Sequence, residues 1–478
     1  MFGISSVGAY LPRRRLQRAS IVAANAWSNP ALAALAKGER TMCGWDEDSV
    51  TLAAEAVRDA VRATPVQALY LASTSFPFAD RSNAVLVAEA SGLPASLRTL
   101  ESAGTRRAGT AALLCGLDSV RAVPGTSVVV AAAEHRVARV GTSQELSFGD
   151  GAAAVVLSDN RVLAEFVDSH THLVDFIDQY RSEGQRGVYQ WEERWIRDEG
   201  YLEVIPTAVA ALLERTGIAA SALAHVVLPG DAASAAVAIA NRIGFDPAAI
   251  VDSLQAAVGD TGAAHPLLLL NHALGRARPG ELILVASFGQ GCDAILFRAT
   301  EQVDARRADL GLEKWLTRRV PENNYGKFQS FNGLVDRDLG KRAEMDRQMR
   351  PSAFHRHRHF LTSFRAAVCN TCGTVQVPRG HYCVNAQCGA RASFSERSLA
   401  DVKGTVRTWT ADRLTFDPDP PAYFGTVDFD GGGRLSMDFV DVDSGGLDVG
   451  TRVDFHFRIK DIDPQRHFRR YFWKAAPL

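Results

Sequence analysis

The chain has 478 residues, 46% hydrophobic and 22% charged, with a formal net charge of −1. That length exceeds what one hydrophobic core normally supports, so two or more domains are expected. The near-neutral balance argues against a generic nucleic-acid or anionic-membrane partner. No apolar run approaches the ~20 residues that a membrane helix needs. In MFGISSVGAYLPRRR the basic residues follow the apolar stretch, opposite to a secretory signal, and a cytoplasmic location is expected.

Residues 1–300 alternate between strand and helix patterns. Gly3–Leu11 reads as a strand. Asp46–Asp48 offers acidic N-capping for a helix through Arg62, with Val50, Ala53, Ala54, Val57 and Val61 on one stripe. Ala68–Ser73 is a short apolar strand, Gly109–Ala122 a buried helix, and Val128–Ala132 and Ala152–Leu157 buried strands. This alternation predicts an α/β domain. The stretch GTAALLCGLDSVRAVPGTSVVVAAAE, followed by GDGAAAVVL, is echoed by AAHPLLLLNHALGRARPGELILVASFG, followed by GQGCDAILF. Their prolines, Pro124 and Pro279, stand 155 residues apart. Both copies run buried helix, Arg-Ala-x-Pro-Gly, strand, Gly-x-Gly, strand, as a duplicated α/β unit does. Each Gly-x-Gly leads into a strand rather than a helix, which argues against a dinucleotide-binding fingerprint. His170-Thr-His172 is expected in a partly exposed connection, since no series of strands carrying further metal ligands follows.

Residues 301–360 are heavily charged and read as a connecting segment with a helix or two, His355–His359 (HRHRH) lying on a solvated face. Then come Cys369, Cys372, Cys383 and Cys388 in CNTCGTVQVPRGHYCVNAQC, leaving only three cysteines elsewhere. Thiolates at this spacing converge on one tetrahedral metal, so residues 361–395 are expected to be a ribbon holding a structural zinc. Soft sulfur ligands also suit an iron–sulfur centre. Scarce cysteine argues against two disulfides. Val402–Trp409, Tyr423–Phe429, Arg434–Val440, Arg452–Ile459 and Phe468–Trp473 read as five short strands with a turn at Asp430-Gly-Gly-Gly433, so 396–478 is expected to be an OB-fold barrel. The basic and aromatic residues of RHFRRYFWK are assigned to its closing strand.

CGWDEDSVTLAAEAVRDAV, LASTSFPFAD, AGTAAL, SFGDGAAAVVLS and SFGQGCDAILF resemble the hydroxymethylglutaryl-CoA synthase branch of the thiolase superfamily, and are also similar to ketoacyl-ACP synthase III. The resemblance covers most of 1–300 and implies a fold of two duplicated α/β halves. The ribbon and barrel resemble the zinc-ribbon/OB-fold family that accompanies thiolases as an acyl-CoA-associated partner. The family's chemistry uses an activated cysteine, a glutamate and a histidine. The resemblance puts Arg106 at the cysteine position, Thr74 at the glutamate position, and Leu228, Pro229 and Gly230 where the histidine belongs. Asp260 takes the place of an asparagine.

Arg106 and Arg107 at a helix N-terminus oppose the helix dipole, so either the pair points to solvent or an anion sits against it: a substrate carboxylate, a CoA phosphate, or an acidic side chain such as Glu101 or Asp260. Asp260 and His265, at the start of the second repeat's helix, with Thr74, are the candidate catalytic residues. Cys115, more than two turns beyond Arg106, is expected in the core, Cys43 is expected to be structural, and Cys292 is the spare thiol to watch. Two functions follow. One is an enzyme making or breaking a C–C bond of a 3-hydroxyacyl-CoA, aldol or retro-aldol, without a cysteine nucleophile. The other is a non-catalytic acyl-CoA-binding subunit. The expected assembly is a homodimer or a hetero-complex with a thiolase-family chain.

Overall fold

The computed structural model describes residues 1–62, 64–443 and 445–478. They form two units: Met1–Gly44, Asp48–Val87 and Ala95–Leu334 in one, Trp45–Glu47, Ala88–Pro94 and Val335–Leu478 in the other.

The first unit is built on nine strands: β1 (Gly3–Tyr10), β2 (Ala68–Ala72), β3 (Arg98–Ser102), β4 (Val128–Glu134), β5 (Gly151–Ser158), β6 (Ala164–Leu173), β7 (Leu223–Val227), β8 (Leu282–Phe288) and β9 (Gly291–Ala299). Their order is β7-β8-β9-β6-β1-β5-β4-β2-β3. Outward from the centre, β1, β5, β4 and β2 on one side match β6, β9, β8 and β7 on the other, which is the duplication the repeat predicts. Within the sheet, the two halves pair at Gly3–Glu165 and Ile4–Ala164.

Four helices matter for the site: α1 (Ser49–Val61), α2 (Ala108–Ala122), α3 (Leu202–Thr216) and α4 (His265–Leu274). Helix α2 packs on β2, β4 and β5, and α4 packs on β5, β7, β8 and α2 itself. Every residue of α4 is buried, which is why its sequence, HPLLLLNHAL, carries almost no polar face. Leu113 and Leu117 meet Leu267–Leu270, Val130, Val155, Val285 and Ile295 in one core. Gly109 permits the closest approach: a Cβ there would fall 2.1 Å from the Ala263 carbonyl oxygen. The starts of the two duplicated helices are thereby brought together.

The charged stretch beyond residue 300 is divided. Val320–Glu322 pairs in parallel with Arg14–Gln17, Trp315 sets its ring edge-on to Tyr10 at 4.9 Å, and Tyr325 donates to the buried Glu145 at 2.7 Å. Residues through Leu334 thus complete the first unit rather than link it onward.

In the second unit, helix Pro351–Leu361 carries HRHRH with its histidines outward. A three-stranded ribbon follows, then an antiparallel sheet ordered Arg434–Asp438, Ala422–Phe429, Gly404–Asp412, Arg452–Asp463, Phe468–Pro477. A bridge between Phe439 and Ala475 joins its two edges into a barrel. Gly431, Gly432 and Gly433, all with positive φ, make the predicted hairpin turn. The barrel core is aromatic. Phe364 stacks on Trp473 at 5.3 Å, and the Trp473 indole N–H donates to the Thr362 carbonyl at 2.8 Å, so the ring is buried without an orphaned donor. Among the described residues no helix is long and apolar enough to cross a membrane.

Candidate active site and metal centre

The turn Asp260–Ala264, just ahead of α4, gathers the polar groups of the first unit. Asp260 accepts from Arg136 at 2.7 Å through Oδ2 and from the Gly262 N–H at 3.1 Å through Oδ1. Burial works against its charge, but Arg136, His265 and Arg106 hold its carboxyl well below the usual range. The Arg136 guanidinium lies 3.9 Å above the Phe148 ring, which shields the pair from water.

His265 is buried, and burial lowers its pKa despite Asp260 and Asp231. The Thr261 N–H donates to its Nδ1 at 3.2 Å, so the neutral ring carries its proton on Nε2. That nitrogen faces Gly230: a Cβ at 230 would come within 2.5 Å of it. The ring therefore fills the space a side chain at Gly230 would use.

Glu134, at the end of β4, is fully buried. Its carboxylate accepts from the Thr74 N–H at 2.8 Å, the Thr74 hydroxyl at 3.0 Å and the Ser75 hydroxyl at 2.6 Å. The Ala263 N–H adds a longer contact at 3.4 Å. Burial nevertheless pushes its pKa up, with Arg136 and these hydrogen bonds opposing. A carboxyl so poised exchanges a proton nearer neutrality than an exposed one. Thr74 thus serves as a partner of a carboxylate brought from the neighbouring strand.

Arg106, just ahead of α2, is nearly buried and ion-paired to Asp178 and Asp231, with Asp260 at 4.0 Å. Burial works against its charge, yet these carboxylates raise its pKa well above the ordinary value. Arg107 pairs with the buried Asp293 at 2.7 Å and donates to the Gly289 carbonyl at 2.8 Å. The anions opposite both arginines belong to the chain itself. Asp260 is among them, whereas Glu101 instead accepts from Ser82, Asn83 and the Ala84 N–H. Three of the carboxylates were not foreseen from the sequence, because Asp178, Asp231 and Asp293 sit far from Arg106 along the chain.

The remaining thiols divide differently from expectation. Cys115 is exposed rather than in the core. The buried stripe of α2 runs through Ala112, Leu113, Gly116, Leu117 and Val120, and position 115 turns away from it. Cys292 is buried, and burial with Asp293 alongside pushes its thiol far up, so it is an inert core group. His170 and His172 sit on β6, opposite Ala294 and Cys292 of β9. Glu134 and Arg136 are the site residues that sequence reasoning missed. The available signal was the abrupt ending of the buried run VVVAAA in the charged triplet Glu134-His135-Arg136.

In the second unit, the four sulfurs of Cys369, Cys372, Cys383 and Cys388 all lie within 4.8 Å of one another. Sγ–Sγ separations are 3.8 Å for Cys369–Cys388 and 3.5 Å for Cys372–Cys383. A tetrahedron with ~2.3 Å metal–sulfur bonds has edges of about 3.8 Å, whereas a disulfide needs about 2.05 Å. The donor set fits a tetrahedral metal.

Comparison with known proteins agrees with this architecture. Residues 213–298 match the family described as 3-oxoacyl-[acyl-carrier-protein (ACP)] synthase III C terminal, and residues 396–458 match the ChsH2 C-terminal OB-fold domain. A crystal structure of HMG-CoA synthase complexed with CoA superposes with a TM-score of 0.61 at 19% identity, over 71% of this chain and 92% of that one. The 3-oxoacyl-(acyl carrier protein) synthase III of Pseudomonas aeruginosa gives 0.55 at 21% identity, over 63% and 98%. The first unit is a thiolase-like α/β fold. The hydroxymethylglutaryl-CoA synthase of Aeropyrum pernix is 30% identical over 349 residues, 70% of this chain and 96% of that protein. That of Methanopyrus kandleri is 28% identical over 338 residues, 68% and 95%. The chain belongs to the hydroxymethylglutaryl-CoA synthase family, and carries an OB-fold domain after that region.

Proposed function

We propose that the first unit binds acyl-CoA and makes or breaks a C–C bond of a 3-hydroxyacyl-CoA by aldol or retro-aldol chemistry, without an acyl-enzyme. The observation that carries this reading is Arg106. It stands where the family resemblance puts the nucleophilic cysteine and is locked there by Asp178 and Asp231. The other two functions return from neighbouring elements. Glu134 reaches Thr74, at the glutamate position, and His265 fills the space at Gly230, at the histidine position.

In the cleavage direction, Glu134 takes the proton of the 3-hydroxyl as the C2–C3 bond breaks and a ketone or aldehyde leaves. The bond's electron pair moves onto the thioester as an enolate, whose oxygen the His265 Nε2–H stabilises. Glu134 then returns the proton to C2, giving a shortened acyl-CoA. Asp260 and Thr74 orient His265 and Glu134 rather than exchange protons themselves. No redox partner is required.

The test is incubation of the full chain with a panel of 3-hydroxyacyl-CoAs, tertiary alcohols included, assaying for ketone and a shortened CoA ester. Glu134→Gln and His265→Asn should each lower kcat by about 10²–10⁴. The protein's mass should stay unchanged after incubation with acetyl-CoA. If every substrate fails while CoA still binds, the second reading takes over: an acyl-CoA-holding subunit of a complex with a thiolase-family chain. The filled nucleophile position and the ChsH2-like barrel support that alternative, and co-purification of a partner chain would be its signature.

For the ribbon we propose a structural zinc held by Cys369, Cys372, Cys383 and Cys388. Such a closed four-thiolate site contributes folding energy and no open coordination position. Metal analysis of a folded Cys43→Ala variant should give about one zinc per chain, lost on Cys369→Ser.

A further inference from the structure

We propose a second metal site in the first unit, in which Cys43, His135 and Asp150 hold a divalent cation of the zinc type with one coordination position left open. The three donor atoms, one thiol, one imidazole and one carboxylate oxygen, all lie within 4.8 Å of one another. They come from separate stretches of chain: the residue after strand Glu39–Met42, the residue after β4, and the residue before β5.

His135 Nδ1 and Asp150 Oδ1 are 3.2 Å apart. Two ligands at ~2.05 Å on a tetrahedral ion stand about 3.3 Å apart, so this separation is the edge of such a site. Both atoms are buried, and although burial opposes its charge, the imidazole and the Arg40 guanidinium together hold the Asp150 carboxyl below its usual range. A cation seated between them would take the place of the proton that otherwise joins imidazole and carboxylate. The other carboxylate oxygen accepts the Cys43 N–H at 2.8 Å, which anchors the carboxylate from behind, as outer partners of metal ligands do.

Three protein ligands of mixed type, rather than four thiolates, are the pattern of a metal that keeps a position for water or substrate. Arg40 defines what that position accepts. Its Nη2 lies 3.8 Å from Asp150 Oδ1. A thiolate, a carboxylate, a dication and one guanidinium sum to a single positive charge, so an anionic oxygen, hydroxide or a substrate oxyanion, brings the centre to neutrality. Access runs past His135, the only one of the three ligands not fully buried. The centre also adjoins the acid/base group: the Ser75 hydroxyl accepts the His135 backbone N–H at 2.9 Å while donating to Glu134 at 2.6 Å. The site stands independently of the aldol reading, since only metal binding is claimed.

The experiment counts metal on the full chain by elemental analysis after saturation with zinc and removal of excess, and repeats it with cobalt(II) by absorption. Wild type should hold two equivalents. Cys43→Ala and His135→Gln should each hold one, with far-UV circular dichroism unchanged, while Cys369→Ser should retain the other. In a Cys369→Ser, Cys372→Ser double variant the remaining cobalt should still show a single-thiolate charge-transfer band, lost on adding Cys43→Ala. Should Cys43→Ala fail to fold, His135→Gln, a half-buried position, decides the matter. One equivalent in wild type, or two in folded His135→Gln, overturns the proposal.

Discussion

Arg106 concentrates three costs that its surroundings offset together. It is a cation at a helix N-terminus, it is buried, and it stands beside a second arginine. Asp178, Asp231 and Asp260 supply the opposing charge. Removing it leaves those carboxylates facing each other with one guanidinium fewer. Arg106→Ala should therefore destabilise the first unit by about 3–5 kcal/mol, read as a lower urea midpoint at unchanged m-value. Arg106→Cys restores the thiol the family resemblance calls for, but its thiolate would meet the same carboxylates. It should be unreactive toward acetyl-CoA at neutral pH, with no mass gain. At Gly230 the limit is steric. Gly230→Ala puts a methyl 2.5 Å from His265 Nε2 and 2.9 Å from the Gln255 amide. It should cost about 1–3 kcal/mol and reduce turnover far more than CoA binding, because the imidazole must leave its place.

At the level of single elements, local sequence chemistry governs how helices begin. Asp48 caps α1, accepting from the Val50 and Thr51 N–H groups at 3.0 Å each, while its own N–H donates to the Thr51 hydroxyl at 2.8 Å. Asp48→Ala should cost about 1 kcal/mol, seen as a small fall in melting temperature with activity retained. Helix α4 has no such cap. Its start is held by the Asp260 turn and by α2 across Gly109, so its position depends on tertiary contacts. This difference explains what could be read in advance. The α1 stripe and cap, the duplicated helix–strand pairs and the five barrel strands all have short-range signatures. The convergence of Glu134 on Thr74, 60 residues away in sequence, has none. Cys115 shows the same limit: counting turns from Arg106 gave its height along α2 but not which way that face points.

Across whole units, acid should weaken the first one through its buried histidines. His272 is held to about 4 by burial, with Arg276 beside it adding to the effect, and His265 is lowered in the same direction. Both are depressed in the folded state, so below the ordinary value of about 6.5 the unfolded chain takes up protons that the folded chain refuses. Stability should be full above that pH and decline steadily between about 6.5 and 4. His272→Gln should flatten that decline in a series of denaturation curves. The second unit should respond to chelation instead. In a Cys43→Ala variant, which keeps only the ribbon site, stripping metal should speed amide exchange across 365–398 and leave β4, β5 and α4 protected, which hydrogen-exchange mass spectrometry reads directly.

Composition and periodicity were sufficient for a two-part chain with a duplicated α/β fold, a four-cysteine ribbon and a barrel. These features repeat or cluster within tens of residues, where spacing alone dictates geometry. That Arg106 takes the place of the family's cysteine is what the resemblance implies, not something that spacing shows. Which groups surround Arg106, Thr74 and Gly230 was decided only by the tertiary structure. Glu134, His265, Asp178 and Asp231 arrive from four separate stretches of chain, and pairing between distant segments is selected by packing and buried charge rather than by any local pattern. Cys43, His135 and Asp150 follow the same rule: three separate residues become one set of donors only when the fold brings the ends of their strands, from two different sheets, together.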